Sequence, residues 1–132
     1  MRVRGLPPDE RGSAPVDFVL VGTLLTVLTL AVLQLGLAVY VRNVIHDAAA
    51  EGAHHAALAD VDPSEGAAHA AAAISRAVGD AYAQDVRAAL VTADGHPEVR
   101  ITVRTSLPVI GLIGIPYAME VTADAPLESL GE

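Results

Sequence analysis

The sequence predicts an α+β protein in which a long N-terminal transmembrane helix is followed by a short helix and a small antiparallel sheet. Three patterns predict this class: an apolar run without formal charge, an alanine-rich stretch after it, and alternating apolar and polar residues in the last third. They are typical of a membrane span, a continuing helix and half-buried strands. The expected segments are a leader at 1–12, a span at 13–41, a helical extension at 42–59 and a domain at 60–132.

The apolar run is long enough to cross a membrane. A helix rises about 1.5 Å per residue, so the 24 residues from Phe18 to Val41 extend roughly 36 Å, against about 30 Å for the hydrocarbon core. The run exceeds the apolar region of an ordinary secretory signal, which has about 7–15 residues. A chain this small also has little protein with which to bury such a helix. We therefore expect a retained, single-pass membrane helix.

Basic residues flank the span unequally. Arg2, Arg4 and Arg11 precede it, and Arg42 alone follows closely. Basic residues favour the cytoplasmic side, and acidic ones count little in this rule. The N-terminus is therefore expected in the cytoplasm, with the residues after the span outside the cell membrane.

Three residues suit a helix that begins near Ser13. Ser13 is a favourable N-cap, and Pro15 fits a first turn because the N–H groups there have no intrahelical partners. The carboxylate of Asp17 would complement the positive end of the helix dipole. An acid at the edge of an apolar span is nevertheless unfavourable and suggests a binding partner. The residues alone leave both readings of Asp17 open.

Small residues recur along one face of the span at alternating spacings of three and four. Such stripes let membrane helices pack closely, although the same residues are common in membrane helices generally. Both interpretations stay open at this point, and Gln34 adds the one amide that can bond to a neighbouring helix. The face comprises Gly22, Thr26, Thr29, Leu33, Gly36 and Tyr40, and its helix-packing candidates are Gly22, Thr26, Thr29 and Gly36.

Beyond the membrane the same helix is expected to continue, because residues 42–59 contain no proline and are rich in alanine. A second helix is expected from Pro63 to about Val78. Asp62 is its candidate N-cap, and proline suits the first helical position.

The last third has the two-residue period of strands. Val99, Ile101 and Val103 alternate with polar residues, after a turn at Asp94-Gly95. An earlier strand near 86–90 and a later one near 117–124 show similar alternation. If the last two strands pair antiparallel, their outward charges meet across the ladder. The charges concerned are Arg100 and Arg104 on one strand and Glu120 and Asp124 on the other.

An apolar connection at 107–116 joins the last two strands. Loops are normally polar, so the apolar side chains of this one are expected to be buried against other atoms. It either closes the core of its own domain, which we favour, or touches lipid or another subunit.

Composition excludes several classes of function. The net charge of -8 argues against nucleic-acid binding, and the absence of cysteine excludes disulfides and thiolate metal sites. His54 and His55 are adjacent and point apart on a helix, and no H-E-x-x-H motif is present. No nucleophile elbow or phosphate-binding loop occurs either. We expect no enzyme activity, no metal and no cofactor.

The order of motifs over residues 10–59 resembles the TadE-like proteins, the pseudopilins of the tight-adherence, or Flp, type IV pilus system. The resemblance is carried by Glu10 to Ala14, Val16-Asp17-Phe18, the long apolar helix, Tyr40 to Val44 and Asp47 to Ala53. Beyond residue 60 it is architectural only: a pilin-like helix followed by a few strands.

The resemblance implies a minor pilin or pseudopilin that takes part in assembling the pilus or a related secretion machinery. A prepilin peptidase would cut between Gly12 and Ser13. Asp17, where the family usually has Glu, would contact the N-terminal amine of a neighbouring subunit, while Pro15 is unusual for the family. The implied partners are the peptidase, other pilin-like subunits, the assembly proteins of the membrane and the lipid bilayer.

The sequence is also compatible with a second function. The same chain would serve as a membrane-anchored binding or accessory module on the cell surface that is neither processed nor polymerised. The two readings differ in the N-terminus of the mature protein.

Overall fold

The predicted α+β class is confirmed. The computed structural model of the protein describes residues 8–58, 60–108 and 114–128. In chain order the elements are α1 (Pro8–Ala57), α2 (Pro63–Val78), a 3-10 turn (Asp80–Tyr82), β1 (Asp85–Ala93), β2 (His96–Pro108) and β3 (Gly114–Pro126).

The chain divides into two compact units. The first, residues 1–35, is represented in the described part by the first half of α1, and from Gly12 onward its side chains are almost all exposed. The second, residues 36–132, contains the rest of α1, α2 and the sheet. Every buried residue of the described chain belongs to this second unit.

The start of α1 differs from the prediction. The helix begins at Pro8 instead of near Ser13, so Ser13 is not its N-cap and Pro15 lies inside it. Pro8 with the acidic residues after it is a favourable helix start, because proline suits the first position and negative charge suits the first turn. The favourable N-cap at Ser13 is therefore overridden by an equally favourable start five residues earlier.

The boundaries of α2 agree with the sequence. Asp62 is the N-cap, its Oδ1 accepts a hydrogen bond from the Ser64 amide at 2.8 Å, and Pro63 opens the helix. Ser64 Oγ donates a second bond to the same carboxylate oxygen at 2.6 Å. Hydrogen bonds from the Ser64 side chain and backbone hold the pKa of Asp62 below its ordinary value. The helix ends before Gly79, whose φ of 108° is one that glycine adopts readily.

The three strands form one antiparallel sheet in the order β1-β2-β3. Asp94 and Gly95 make the β1–β2 turn with φ values of 50° and 82°, as a two-residue hairpin of the primed type requires. The predicted charge pairing is confirmed: Arg100 lies opposite Asp124, and Arg104 lies opposite Glu120.

One face of the sheet packs against the helices. Val99, Ile101 and Val103 are completely buried on β2, and Ile45 and Ile74 are completely buried on α1 and α2. Alanine supplies much of the remainder of this core. The alternation on β1 is only partly reflected in burial, because Leu90 is 62% exposed on this edge strand. The core members with alanine side chains are Ala48, Ala49, Ala53, Ala56, Ala57, Ala70, Ala123 and Ala125.

Two glycines allow α1 and α2 to approach closely. A Cβ atom at Gly52 would lie 2.5 Å from the carbonyl oxygen of Gly66 and 2.8 Å from Cβ of Ala70. A Cβ atom at Gly66 would lie 2.4 Å from Cβ of Ala56. Any side chain at either position would separate the helices, since protein interiors hold no spare space of this size.

The segment after β3 returns to the end of α1. The amide of Glu128 donates to the carbonyl of Ala57 at 3.0 Å, and the amide of Leu127 donates to the carbonyl of Pro97 at 3.1 Å. The last carbonyls of a helix have no intrahelical partner, so the first of these bonds satisfies one of them.

The apolar connection is shorter than predicted. β2 continues to Pro108 and β3 starts at Gly114, with a register shift between Thr105 and Leu107. Leu107 is partly buried against the core. The remainder of the connection, residues 109–113, lies outside the described residues, and so does the prediction about what covers it.

Candidate processing junction and membrane helix

The Gly12–Ser13 bond, the predicted cleavage position, lies within α1. Four helical residues precede Gly12, and the helix continues for more than forty residues after it. Gly12 is exposed, and a Cβ atom built there would meet nothing within 4 Å. No side chain therefore covers the bond at Gly12, but the backbone on both sides of the bond is helical.

Pro15 interrupts the hydrogen bonding of α1 beside this bond. It is the proline that lies inside the helix. Proline has no N–H group, so the carbonyl of Arg11 receives no bond from position 15, and the ring crowds the same turn. Sequence reasoning identified Pro15 as a helix-start residue and did not foresee this interior position.

Asp17 is exposed in the third turn of α1, nine residues after Pro8. The expectation that it lies in the first turn is therefore wrong for the full-length helix, because the helix starts earlier than Ser13. The dipole effect fades beyond the first turn. In the uncut chain, complementing the helix dipole does not account for this carboxylate.

The apolar part of α1 is exposed over nearly its whole length, up to Tyr40, and Val41 at its end is buried in the core. Phe18 is 80% exposed and Leu33 is 63% exposed, and the most apolar window of the helix has no buried residue. Within the described residues α1, from Gly12 onward, is the one helix with the length and composition to cross a membrane. Exposed apolar surface on this scale is stable in lipid and unfavourable in water. The helix is compatible with single-pass anchoring.

The four helix-packing candidates lie on this exposed part without a neighbour. Cβ atoms at Gly22 and Gly36 would meet nothing within 4 Å. Thr26 Oγ1 donates to the Gly22 carbonyl and Thr29 Oγ1 to the Leu25 carbonyl, each at 2.8 Å. Both hydroxyls are thus satisfied within the helix, as lipid exposure and close helix packing each require. These contacts fit both interpretations of the stripe, a surface for packing against another helix and the ordinary composition of a membrane helix.

Gln34 differs from these threonines. Its Oε1 atom is buried and has no hydrogen-bond partner among the described residues. A carbonyl oxygen without a partner in an apolar setting is unfavourable. Gln34 therefore retains an unused acceptor within the span.

A polar contact between the two helices was not foreseen from the sequence. His69 Nε2 of α2 lies 2.9 Å from Glu51 Oε1 of α1, and the His69 ring stacks on the His55 ring with centroids 5.0 Å apart. Glu51 and His55 are four apart on α1, but nothing local indicates that His69 joins them. No group of three metal-ligating side chains occurs in the described part of the chain.

Two ion pairs join β2 and β3 on the exposed face of the sheet. Arg100 binds Asp124 through two hydrogen bonds, Nε to Oδ1 at 2.7 Å and Nη2 to Oδ2 at 2.8 Å. Arg104 Nε binds Glu120 Oε2 at 2.8 Å. The hydrogen bonds from Arg100 lower the pKa of Asp124. These four charged side chains are therefore paired with one another within the domain.

A comparison with protein families matches residues 12–54 to the family model described as TadE-like protein. We call these residues the TadE-like segment. A comparison with curated proteins and a comparison with solved structures each found no match.

The TadE-like segment lies entirely within α1. It begins at Gly12, includes Asp17 and the whole apolar run, and ends at His54 beside the contact with α2. The match is consistent with a TadE-like protein of the Tad pilus system. The α2 and sheet region lies beyond the match, so its architecture is known from the structure alone.

Proposed function

We propose that this protein is a minor pilin or pseudopilin that takes part in assembling a tight-adherence (Flp) type IV pilus or a related secretion machinery. The observation that carries the proposal is the position of the TadE-like segment, which starts at Gly12, the residue before the proposed cut. The segment then covers the exposed apolar helix through which such a subunit would be held in the membrane. The protein acts by association, without catalysis and without a cofactor.

Processing by a prepilin peptidase between Gly12 and Ser13 would give Asp17 a new position. It would become the fifth residue of the shortened chain, in or beside the first turn of the shortened helix. There its negative charge is favoured by the helix dipole. The carboxylate is then placed to meet the N-terminal amine of a neighbouring pilin-like subunit. Loss of three arginines and two acidic residues would change the net charge from -8 to -9.

The proposed topology places the leader in the cytoplasm and the sheet domain outside the cell membrane. It rests on the excess of arginine before the span. In this arrangement the peptidase, other pilin-like subunits and the assembly proteins of the membrane are the partners of α1. The sheet domain remains available for contacts outside, including those within a fibre.

The N-terminus of the membrane-extracted protein tests the proposal. Cells in which the pilus genes are active should yield a chain that begins at Ser13, identified by N-terminal sequencing. A Gly12→Asp variant is the control, because a charged side chain at the cut should leave a longer chain. A wild-type chain that begins at Met1 or Arg2 in such cells would refute processing.

The second candidate function predicts that uncut chain. A membrane-anchored surface module needs the same exposed helix of α1 and the same external domain, but neither the cut nor Asp17. One observation supports this second function: the second unit has its own buried core, and charges on its sheet pair with each other. The sequenced N-terminus decides between the two functions.

A further inference from the structure

The bond that we propose to be cut lies inside a helix. Gly12 and Ser13 both belong to α1, which begins at Pro8. A peptide bond within a helix is engaged with the turns on either side, and proteolysis requires local opening of such structure. Cleavage therefore requires that the turns around Gly12 unwind first.

Pro15 weakens the turns that have to unwind. It removes the hydrogen bond that position 15 would donate to the carbonyl of Arg11, which adjoins Gly12. Proline also disfavours the helical conformation of the residue before it, and that residue, Ala14, follows Ser13 directly. Because Pro15 lies inside α1, a local weakness in the hydrogen bonding of this helix lies beside the proposed cut.

We infer that Pro15 is a positioning residue for processing: it lowers the stability of residues 8–14 as a helix, so that the Gly12–Ser13 bond is presented in an open conformation. The inference rests on the proposed processing and adds the means by which a helical leader becomes accessible. Pro15 acts through the backbone of the turns that contain this bond. Hydrolysis of the Gly12–Ser13 amide consumes one water and leaves a carboxylate on Gly12 and an amine on Ser13.

The same residue is harmless once the leader has gone. In the shortened chain Pro15 is third, and the Arg11 carbonyl that lacked a partner has left with the leader. N–H groups of a first turn have no intrahelical acceptor, so the missing donor has no effect there. The defect thus exists in the uncut chain and disappears in the product.

The test measures cleavage of full-length chains in membrane vesicles that contain a prepilin peptidase. Pro15→Ala restores the missing donor with the best helix former, and we expect its cleavage to be about tenfold slower than that of the wild type. Pro15→Gly also restores the donor but remains a poor helix former, so its rate should lie between the two. Val16→Ile, one residue away, keeps the backbone donor and has a similar helix propensity, so it should be cut at the wild-type rate.

Hydrogen exchange of the uncut chains in the same vesicles, without peptidase, supplies an independent readout. Amides of residues 11–14, which follow the unbonded first positions of the helix, should exchange more slowly in Pro15→Ala than in the wild type. Slow cleavage together with slow exchange supports the inference. Equal cleavage of Pro15→Ala and wild type would overturn it, and so would equal loss in the alanine and glycine variants, because that would indicate recognition of the proline ring. A wild-type chain that stays uncut would overturn the processing proposal itself, a different result from either.

Discussion

At the scale of single residues, position decides how each side chain of α1 is used. Gly36 and Gly52 are the same residue on one helix, yet one is open to the surroundings and the other lies against Gly66. Sequence spacing placed Gly36 among the packing candidates, whereas Gly52 lies in the alanine-rich extension of the same helix. Spacing alone does not say which glycine has a partner, because the partner of Gly52 lies on a separate helix.

Replacing Gly52 by alanine should destabilise the second unit. The added Cβ would lie 2.5 Å from the backbone oxygen of Gly66, which cannot move without shifting α2. Overpacking costs about 1–3 kcal/mol, and the better helix propensity of alanine returns up to about 1 kcal/mol. We expect a net loss of about 1–2 kcal/mol, measured by thermal unfolding of the full chain in detergent. Gly36→Ala, which meets no atom within 4 Å, is the matched control and should be neutral or slightly stabilising.

Asp17 belongs to this scale as well. Asp17→Ala should leave membrane insertion unchanged, because the substitution removes a charge from the edge of an apolar helix. Incorporation into pili or pilus complexes should fall at least severalfold, as judged by the amount of protein in sheared pilus fractions. Asp47→Ala, also exposed on α1 but beyond the apolar run, should have no such effect. Normal assembly with alanine at position 17 would reduce Asp17 to a helix-start charge.

At the scale of elements, the strands were the most predictable part of the fold. Alternation over residues 98–104 fixed which side chains face the core, and the charges then fixed how β2 and β3 align. The paired arginines and acids occupy the positions where an antiparallel ladder brings them opposite each other. A one-residue slip would turn every buried side chain outward, so this register is strongly determined.

The ion pair of Arg100 and Asp124 should make the sheet sensitive to acid. The pKa of Asp124 is lower in the folded protein than in the unfolded chain, so its contribution to stability is complete above the unfolded value, about 3.9. That contribution is lost as the pH falls through the lower, folded value. Below about pH 4 the wild type should therefore lose stability more steeply than Asp124→Asn. The measurement is the midpoint of unfolding of each protein, determined at a series of pH values between 6 and 2.5. Asp94→Asn, in the β1–β2 turn, is the control and should follow the wild-type curve. Parallel curves for Asp124→Asn and the wild type would contradict the assignment.

The helices were less predictable than the strands. The start of α2 followed from Asp62 and Pro63, whose roles are local. The start of α1 did not, because Pro8 and Ser13 are both favourable starts and only the structure chooses between them. The pairing of Glu51 with His69 depends on how two helices cross, which no local pattern records. The candidate junction at Gly12 was predicted, but its helical conformation was not.

At the scale of the whole molecule, the described residues combine an exposed apolar helical segment with a unit that has its own core. The proposed topology makes a direct prediction. Protease added to the outside of intact cells should digest regions within 42–132 and leave an N-terminal fragment with the span. Inverted membrane vesicles should give the reverse protection, followed with an antibody to the sheet domain. If the sheet domain were digested only in inverted vesicles, it would lie in the cytoplasm, and the proposed topology would be wrong.

The hydrogen bond from Glu128 to Ala57 also matters when the protein is pulled. The bond joins two points that are 71 residues apart and closes α2 and the three strands of the sheet into one non-covalent ring. A force on the outer end of α1 therefore has two paths to the segment after β3: the covalent chain through α2 and the first hairpin, and this single hydrogen bond. Because one hydrogen bond is weak, the direct path should break first, and the force should then pass through the covalent chain alone.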